Sequence, residues 1–359
     1  MSRNLIATIS RHALKHNLQT VKTFAPHARI IAMVKANAYG HGLQEVCKTL
    51  QNADAFGVAS LEEAILIREI GLKNPVVLME GFFKESEIAS IERFCFTCVV
   101  HSDYQIKILE KYPGTYRIPF WIKINTGMNR LGLPFEKVND AFDRLISKKN
   151  LHFLGFMGHF PQADDISNPI TLTQYQKFAD YLKKYPGFRS LANSATIMQW
   201  PACHHDWVRP GLMLYGASPF SMRSAQELNL LPAMELRSEI IAIQQVKKGE
   251  QVGYGGTWVG KDSSHTIAIV AVGYGDGYPW HAQNGTPILV QEKEALLCGR
   301  VSMDMIAIDI TNIPAAIGES VTLWGGKLPI ERIAQHAKTV PWELFCRLTE
   351  RVKFTWVDQ

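Results

Sequence analysis

The chain contains no apolar run long enough to cross a bilayer as a helix, which takes about 20 residues. Its first residues, Met1-Ser2-Arg3-Asn4, lead into strand and helix signals with no signal-peptide core. Runs of lysine and arginine are absent too, and the formal charge of +5 is mild for 359 residues. These absences exclude a helical membrane span and a basic nucleic-acid face. Cysteine is sparse: six residues, which fit reduced thiols in a cytoplasmic protein. Cys95 and Cys98 form a C-x-x-C, but in a strand-like run (Phe94 to Val100) residues three apart point to opposite faces. The pair therefore neither bridges nor chelates. Cys203-His204-His205-Asp206 has metal-like composition, yet its side chains diverge and no second ligand pair is spaced to meet it. No metal site is expected. What remains is ordinary for a globular enzyme, 47% hydrophobic and 20% charged, at a length comfortable for two domains.

The first two-thirds alternate strand and helix signals. Strand-like runs lie near Ile30–Lys35, Ala55–Ala59, Pro75–Glu80, Cys95–Val100, Phe120–Asn125, Phe153–His159, Ser190–Asn193 and Trp207–Gly211. Helix starts and stops separate them. Ser60 with Glu63 reads as a capping box closed by Gly71. Ser102 with Gln105 opens a second helix, Pro134 starts a third, and Pro186-Gly187 ends the one after Thr173. Eight such units predict an α/β fold, a parallel (β/α)8 TIM-like barrel with its functional groups at the strands' carboxyl ends. From about Leu236 the runs become short, β-branched and glycine-bounded: Ile240–Val246, Thr266–Val272, Pro287–Val290, Met305–Ile310 and Ser320–Trp324. That pattern predicts an all-β module, closing with a helix and a final strand over Pro341 to Val352. The division is drawn as 1–228 for the barrel and 229–359 for the mainly β domain. Gly273-Tyr274-Gly275-Asp276-Gly277 lies inside that module and reads as a turn, not a nucleotide loop.

One segment carries chemistry. The apolar run Ile30-Ile31-Ala32-Met33-Val34 ends at Lys35, and Ala36-Asn37-Ala38-Tyr39-Gly40-His41-Gly42 follows. This is a strand delivering one amine to its carboxyl end, then a tight turn into a helix. An amine in apolar surroundings is disfavoured as an ammonium, and a neutral amine can form a Schiff base with an aldehyde. The alternative for any such lysine is a strand cap in water. Phosphate often binds a barrel at the loops after strands seven and eight. There Ser194 supplies a hydroxyl, or a cap for the helix starting at Ala195-Thr196, and Gly211 lets backbone amides approach. Tyr39 can reach the same place.

The segment Met33 to Gly42 resembles the pyridoxal-phosphate lysine segment of bacterial alanine racemases. Lys123-Ile124-Asn125-Thr126-Gly127-Met128-Asn129-Arg130-Leu131-Gly132, Asn193-Ser194-Ala195, Val208-Arg209-Pro210-Gly211, Val252-Gly253-Tyr254-Gly255 and Cys298-Gly299-Arg300-Val301-Ser302-Met303-Asp304 resemble that family in its order and at similar spacing. The resemblance covers nearly the whole chain.

It implies a racemase that takes pyridoxal 5'-phosphate, with Lys35, Tyr39, His159, Ser194, Arg209, Gly211 and Leu212 around the cofactor. Arg209 would face the pyridine nitrogen; an arginine only donates, so that nitrogen stays unprotonated and transamination is disfavoured. Inversion at carbon needs groups on opposite faces, and the resemblance makes Lys35 one and Tyr254 the other. A tyrosine is a poor base unless nearby donors favour its phenolate; by analogy His159 and Arg209 are those donors. The resemblance further implies a homodimer with shared sites, in which Tyr254, Tyr274, Met303 and Asp304 come from the second subunit. Arg130 would bind the substrate carboxylate or a cofactor oxygen, the Met303 amide would help hold that carboxylate, and Lys123 matches a position that can carry a carbamate in relatives.

Two positions depart from the family pattern. Glu350 stands where some relatives place a phosphate-contacting tyrosine, and Ser190 where some carry a histidine behind the arginine. The implied activity is interconversion of L- and D-alanine for peptidoglycan. A broader amino-acid racemase and a barrel-type decarboxylase are the alternatives; Arg209 argues against the decarboxylase, which favours an acidic partner for the ring nitrogen. A pyridoxal-phosphate carrier would need no β module.

Overall fold

A computed structural model describes residues 4–358. Eight parallel strands form a barrel: Arg29–Met33, Ala55–Val58, Val76–Leu78, Thr97–Val100, Ile118–Lys123, Leu151–Met157, Phe188–Ser190 and Trp207–Val208. Strands one to seven each pair with the next, and strand eight returns to strand one through Arg29↔Trp207 and Ile30↔Val208. Strands seven and eight are joined beyond their ends, where the Arg209 N–H donates to Ala192 O at 2.8 Å. The alternation within each strand builds two cores. Ile31, Met33, Val77, Val99, Trp121 and Met157 fill the barrel interior. Ile30, Ala32, Phe56, Val76, Ile122 and Phe156 point outward into the layer beneath the helices.

The helix signals act through backbone N–H groups that would otherwise lack partners. Ser60 caps Leu61–Glu69 by accepting from the Glu63 N–H, and Ser102 caps Asp103–Lys111 by accepting from the Gln105 N–H. Glu63 and Gln105 reach back one residue further than a capping box requires, to the Ala59 and His101 N–H groups. Thr97–Val100 is the strand of the C-x-x-C run; Cys95 is instead a left-handed helix cap, so only Cys98 is strand-borne. Asn193 rather than Ser194 caps Ser194–Gln199, its side chain accepting from the Thr196 N–H. That frees the Ser194 hydroxyl for another role.

The second sheet is almost wholly antiparallel. Met234–Lys247, a 14-residue strand, pairs with Ser264–Val270 on one side and Ser320–Trp324 on the other. Lys293–Leu297 and the helix Ile330–His336 belong to this module without having been legible as such. The final strand, Lys353–Val357, lies just beyond Val352. Ile6–Ser10 also joins this sheet, antiparallel to Met234–Arg237 and parallel to Lys353–Val357. The β module thus draws strands from both ends of the chain, and a division between residues 228 and 229 leaves one of its strands on the barrel side. Five apolar or small residues in a row carry no signal for which sheet they will join. Among the described residues no helix is long and apolar enough to cross a membrane, and no group of three His, Cys, Asp or Glu could hold a metal ion.

Candidate active site

A cavity of about 740 Å³ opens at the carboxyl ends of the barrel strands. It brings together Lys35, Tyr39, Lys123, Arg130, His159, Ser194, Arg209, Gly211 and Leu212. Four cationic side chains face it against two carboxylates, Glu80 and Asp164, which suits an anionic occupant.

Lys35 is half-buried, and its amine makes no hydrogen bond or ion pair among the described residues. The turn after it is not an ordinary entry into a helix. Ala36, Asn37, Ala38 and Tyr39 all have φ between 52° and 55°, a left-handed turn that costs roughly 1–2 kcal/mol for each residue with a Cβ. Its backbone is held from both sides. Glu63 accepts from the Asn37 N–H at 3.1 Å, and the Asn37 side chain accepts from the Leu43 N–H at 2.8 Å. Gly40 ends the turn at φ 77°, and a Cβ there would collide with the Phe345 carbonyl. Small residues and glycines mark a turn in sequence, but its hand comes from these tertiary partners.

Ser194 Oγ accepts from the Gly211 N–H at 3.0 Å and the Met213 N–H at 3.3 Å, so its own proton is available to the cavity. A Cβ on Gly211 would collide with the Tyr39 hydroxyl. Burial raises Tyr39's pKa to about 12, keeping it a donor, and the ring stacks on Tyr215 with centroids 4.8 Å apart. A serine hydroxyl and a phenol thus converge where the glycine leaves space, a fit for a phosphate.

Across the cavity Arg209 is 4% exposed. Its Nη1 donates to Ser190 Oγ at 2.5 Å, and its Nη2 donates to Gly158 O at 2.6 Å and Leu191 O at 3.2 Å. Ser190 Oγ passes its own proton to Trp207 O at 2.8 Å, so a serine supports the guanidinium here. Burial pushes Arg209 down to about 9, still charged at neutral pH, and Nε and one N–H of Nη1 are the donors these bonds leave over. Beside it, His159 is held well below its ordinary value by burial and then by the charges of Arg209, Lys123, Arg130 and Lys35. Lys123 is the enclosed amine of the site. Burial, then the same cationic neighbours, push it down to about 8, with Glu80 opposing.

Tyr254, Tyr274, Met303 and Asp304 do not line this cavity. They sit on the β module, where Tyr254 is 73% and Met303 53% exposed. Glu350 is exposed and away from the cavity; Arg351 pairs with Asp276 and Asp304, not with it. Glu80, Asp164, Trp342 and Cys346 line the cavity and were not singled out in sequence. Glu80 had a signal, following barrel strand three. Trp342 and Cys346 arrive on the helix Pro341–Cys346, whose docking no local pattern announces.

A barrel that presents a lysine amine, a serine hydroxyl, a phenol and a carbonyl-anchored guanidinium to one cavity has the form of an enzyme site suited to a phosphorylated aldehyde. Residues 9–219 match the family model "Alanine racemase, N-terminal domain" and residues 233–356 match "Alanine racemase, C-terminal domain". The chain belongs to the alanine racemase family. It is 44% identical over 353 residues to the biosynthetic alanine racemase of Escherichia coli K12, covering 98% of each chain. It is 43% identical over 360 residues to an alanine racemase of Coxiella burnetii RSA 493, covering 98% of this chain and 99% of that one. The crystal structure of the biosynthetic alanine racemase from Pseudomonas aeruginosa superposes with a TM-score of 0.97 at 39% identity over 99% of both chains.

Proposed function

We propose that this chain interconverts L- and D-alanine with pyridoxal 5'-phosphate in the barrel mouth, two copies sharing each site. The observation that carries the reading is the placement of Lys35 and the anchored Arg209 on one cavity with the Ser194–Gly211–Tyr39 cradle between them. When bound, the cofactor withdraws electrons from the substrate's alpha carbon, so that its proton can leave.

The protein's own groups direct that proton. Lys35 Nζ, on the barrel side, takes or returns it on one face of the carbon. The Tyr254 hydroxyl of a second copy serves the opposite face. Arg209 can only donate, so beside the ring nitrogen of the cofactor it would keep a proton off that atom, which would favour return of the proton to the alpha carbon. Neutral His159 lies beside Arg209 on the same cavity. Arg130 and the Met303 N–H receive the substrate carboxylate. Lys123, an amine near pKa 8, is suited to take up carbon dioxide as a carbamate, turning a charge that repels Arg130 into one that orients it. An intact-mass increment lost on acidification supports the carbamate.

The exposure of Tyr254 and Met303, on a module that leaves its own chain's cavity open, supports a homodimer. The product, D-alanine, would feed peptidoglycan from the cytoplasm. The test is deuterium wash-in at the alpha carbon from each enantiomer, with wild type and Tyr254→Phe. The variant should lose exchange from L-alanine far more than from D-alanine, leaving the Lys35 side active. Equal losses from both enantiomers would remove the two-base assignment.

A further inference from the structure

Arg351 follows the helix that lines this chain's own cavity, and its guanidinium reaches two loops of the β module. Nε lies 3.0 Å from Asp276 Oδ1 and Nη2 lies 2.6 Å from Asp304 Oδ1. The first of these carboxylates is buried and the second half-exposed. One planar fork thereby joins two loops that are far apart in sequence.

Those loops are already in contact through their backbones. The Tyr274 N–H donates to Ser302 O at 3.0 Å and the Gly275 N–H donates to Met303 O at 2.9 Å. Asp276 Oδ2 accepts from the Gly273 N–H at 2.9 Å, fixing the turn that carries Tyr274. The segment before Arg351 is pinned to the same turn, with the Thr349 N–H on Asp276 O at 3.1 Å and the Thr349 hydroxyl on Gly275 O at 3.0 Å. A Cβ on Gly275 would run into Arg351 Nη1, so the guanidinium lies flat against the turn. Two half-exposed side chains, Tyr274 and Met303, are thus presented from a frame that Arg351 contacts directly.

We infer that Arg351 is a positioning residue for the substrate carboxylate: it fixes the Met303–Asp304 loop against the Tyr274 turn and neutralises Asp304. The inference rests on the proposed shared site, in which the Met303 N–H receives that carboxylate. The physical need is plain. A carboxylate arriving at Met303 meets Asp304 one residue further on, and two like charges at that range repel unless a cation lies between them. Arg351 supplies the cation and, by gripping Asp276 with its other arm, sets where Asp304 can point.

The test uses the cofactor-loaded enzyme with Arg351→Met and Arg351→Lys. Arg351→Met should raise KM for both enantiomers roughly tenfold, with kcat within about threefold and the visible absorbance of the bound cofactor unchanged. Amide hydrogen exchange over residues 302–305 should speed up, a readout independent of turnover. Arg351→Lys should recover most of KM and less of the exchange protection, because it returns the charge without the fork. Unchanged KM and unchanged exchange in Arg351→Met would overturn the inference, as would a loss confined to kcat. A mixed dimer of Lys35→Ala and Arg351→Met chains separates this from the shared-site reading. Its one competent barrel faces an intact module if sites are shared, so KM should be that of wild type. A raised KM in that mixed dimer, with a raised KM in the Arg351→Met homodimer, would overturn sharing between subunits and leave the role of Arg351 standing.

Discussion

Arg209 Nη2 lies 3.3 Å from His159 Nδ1. A guanidinium has no acceptor, so the imidazole nitrogen must accept, and the ring proton of His159 resides on Nε2. The contact keeps the histidine neutral and leaves the arginine as the donor facing the cavity. Everything behind Arg209 is also an acceptor: Ser190 Oγ, Gly158 O and Leu191 O. Its position is therefore set by oxygen atoms, with no carboxylate in that set of partners.

Ser190→Ala should leave one guanidinium N–H without its partner in a buried site, costing about 1–3 kcal/mol of stability. Racemase activity should fall severalfold. Arg209→Lys keeps a charge but cannot span Ser190, Gly158 and Leu191 together, so activity should fall at least about tenfold. Urea denaturation and steady-state rates check both; a Lys variant as active as wild type would show that the fork is dispensable.

Gly211→Ala should weaken cofactor binding at least about tenfold, since the added methyl displaces the Tyr39 hydroxyl and closes the cradle. Titration of cofactor-free protein, followed by fluorescence, measures it. Unchanged affinity would move the phosphate elsewhere in the cavity.

Lys123 makes stability depend on alkaline pH. With its native pKa near 8, between that value and the ordinary lysine range the unfolded chain holds a proton the native chain has lost. Native stability then rises with pH across this window, and the cost is greatest below it. Lys123→Met should be more stable than wild type near pH 7 by up to about 3 kcal/mol. That advantage should shrink as pH approaches about 10. The comparison is made in buffers free of carbon dioxide.

The acid side belongs to buried imidazoles. Burial lowers His41 to about 4, under the rings of Tyr215 and Phe345, with its Nδ1 2.9 Å from the Tyr39 carbonyl oxygen. From about pH 6.5 down to about 4 the unfolded chain binds a proton the native one refuses, so stability falls as pH falls. His159 adds to the same trend. His41→Gln should be less stable near neutrality, yet its stability should decline more gently over that acid range. An equally steep decline would show that His41 is not the group titrating.

Local pattern reached a long way in this chain. The eight barrel strands, the capping serines and the β-branched runs of the second module each express a period or an end signal that needs no distant partner to be read. The barrel pattern placed Lys35, Ser194 and Gly211 at strand ends, Arg209 came with the family resemblance, and the structure brings all four to one mouth. Other features were fixed only by packing. The left-handed hand of residues 36–39 depends on Glu63 and on the Phe345 carbonyl. The lowered pKa of Lys123 depends first on its burial and then on cations brought from just beyond strands one and eight and from the loop after strand five. Ile6–Ser10 joined the sheet of the far end of the chain, and Arg351 crossed to two loops remote from it in sequence. A residue's own type states which bonds it can make; which partner comes within reach is settled by how the remaining surfaces bury one another.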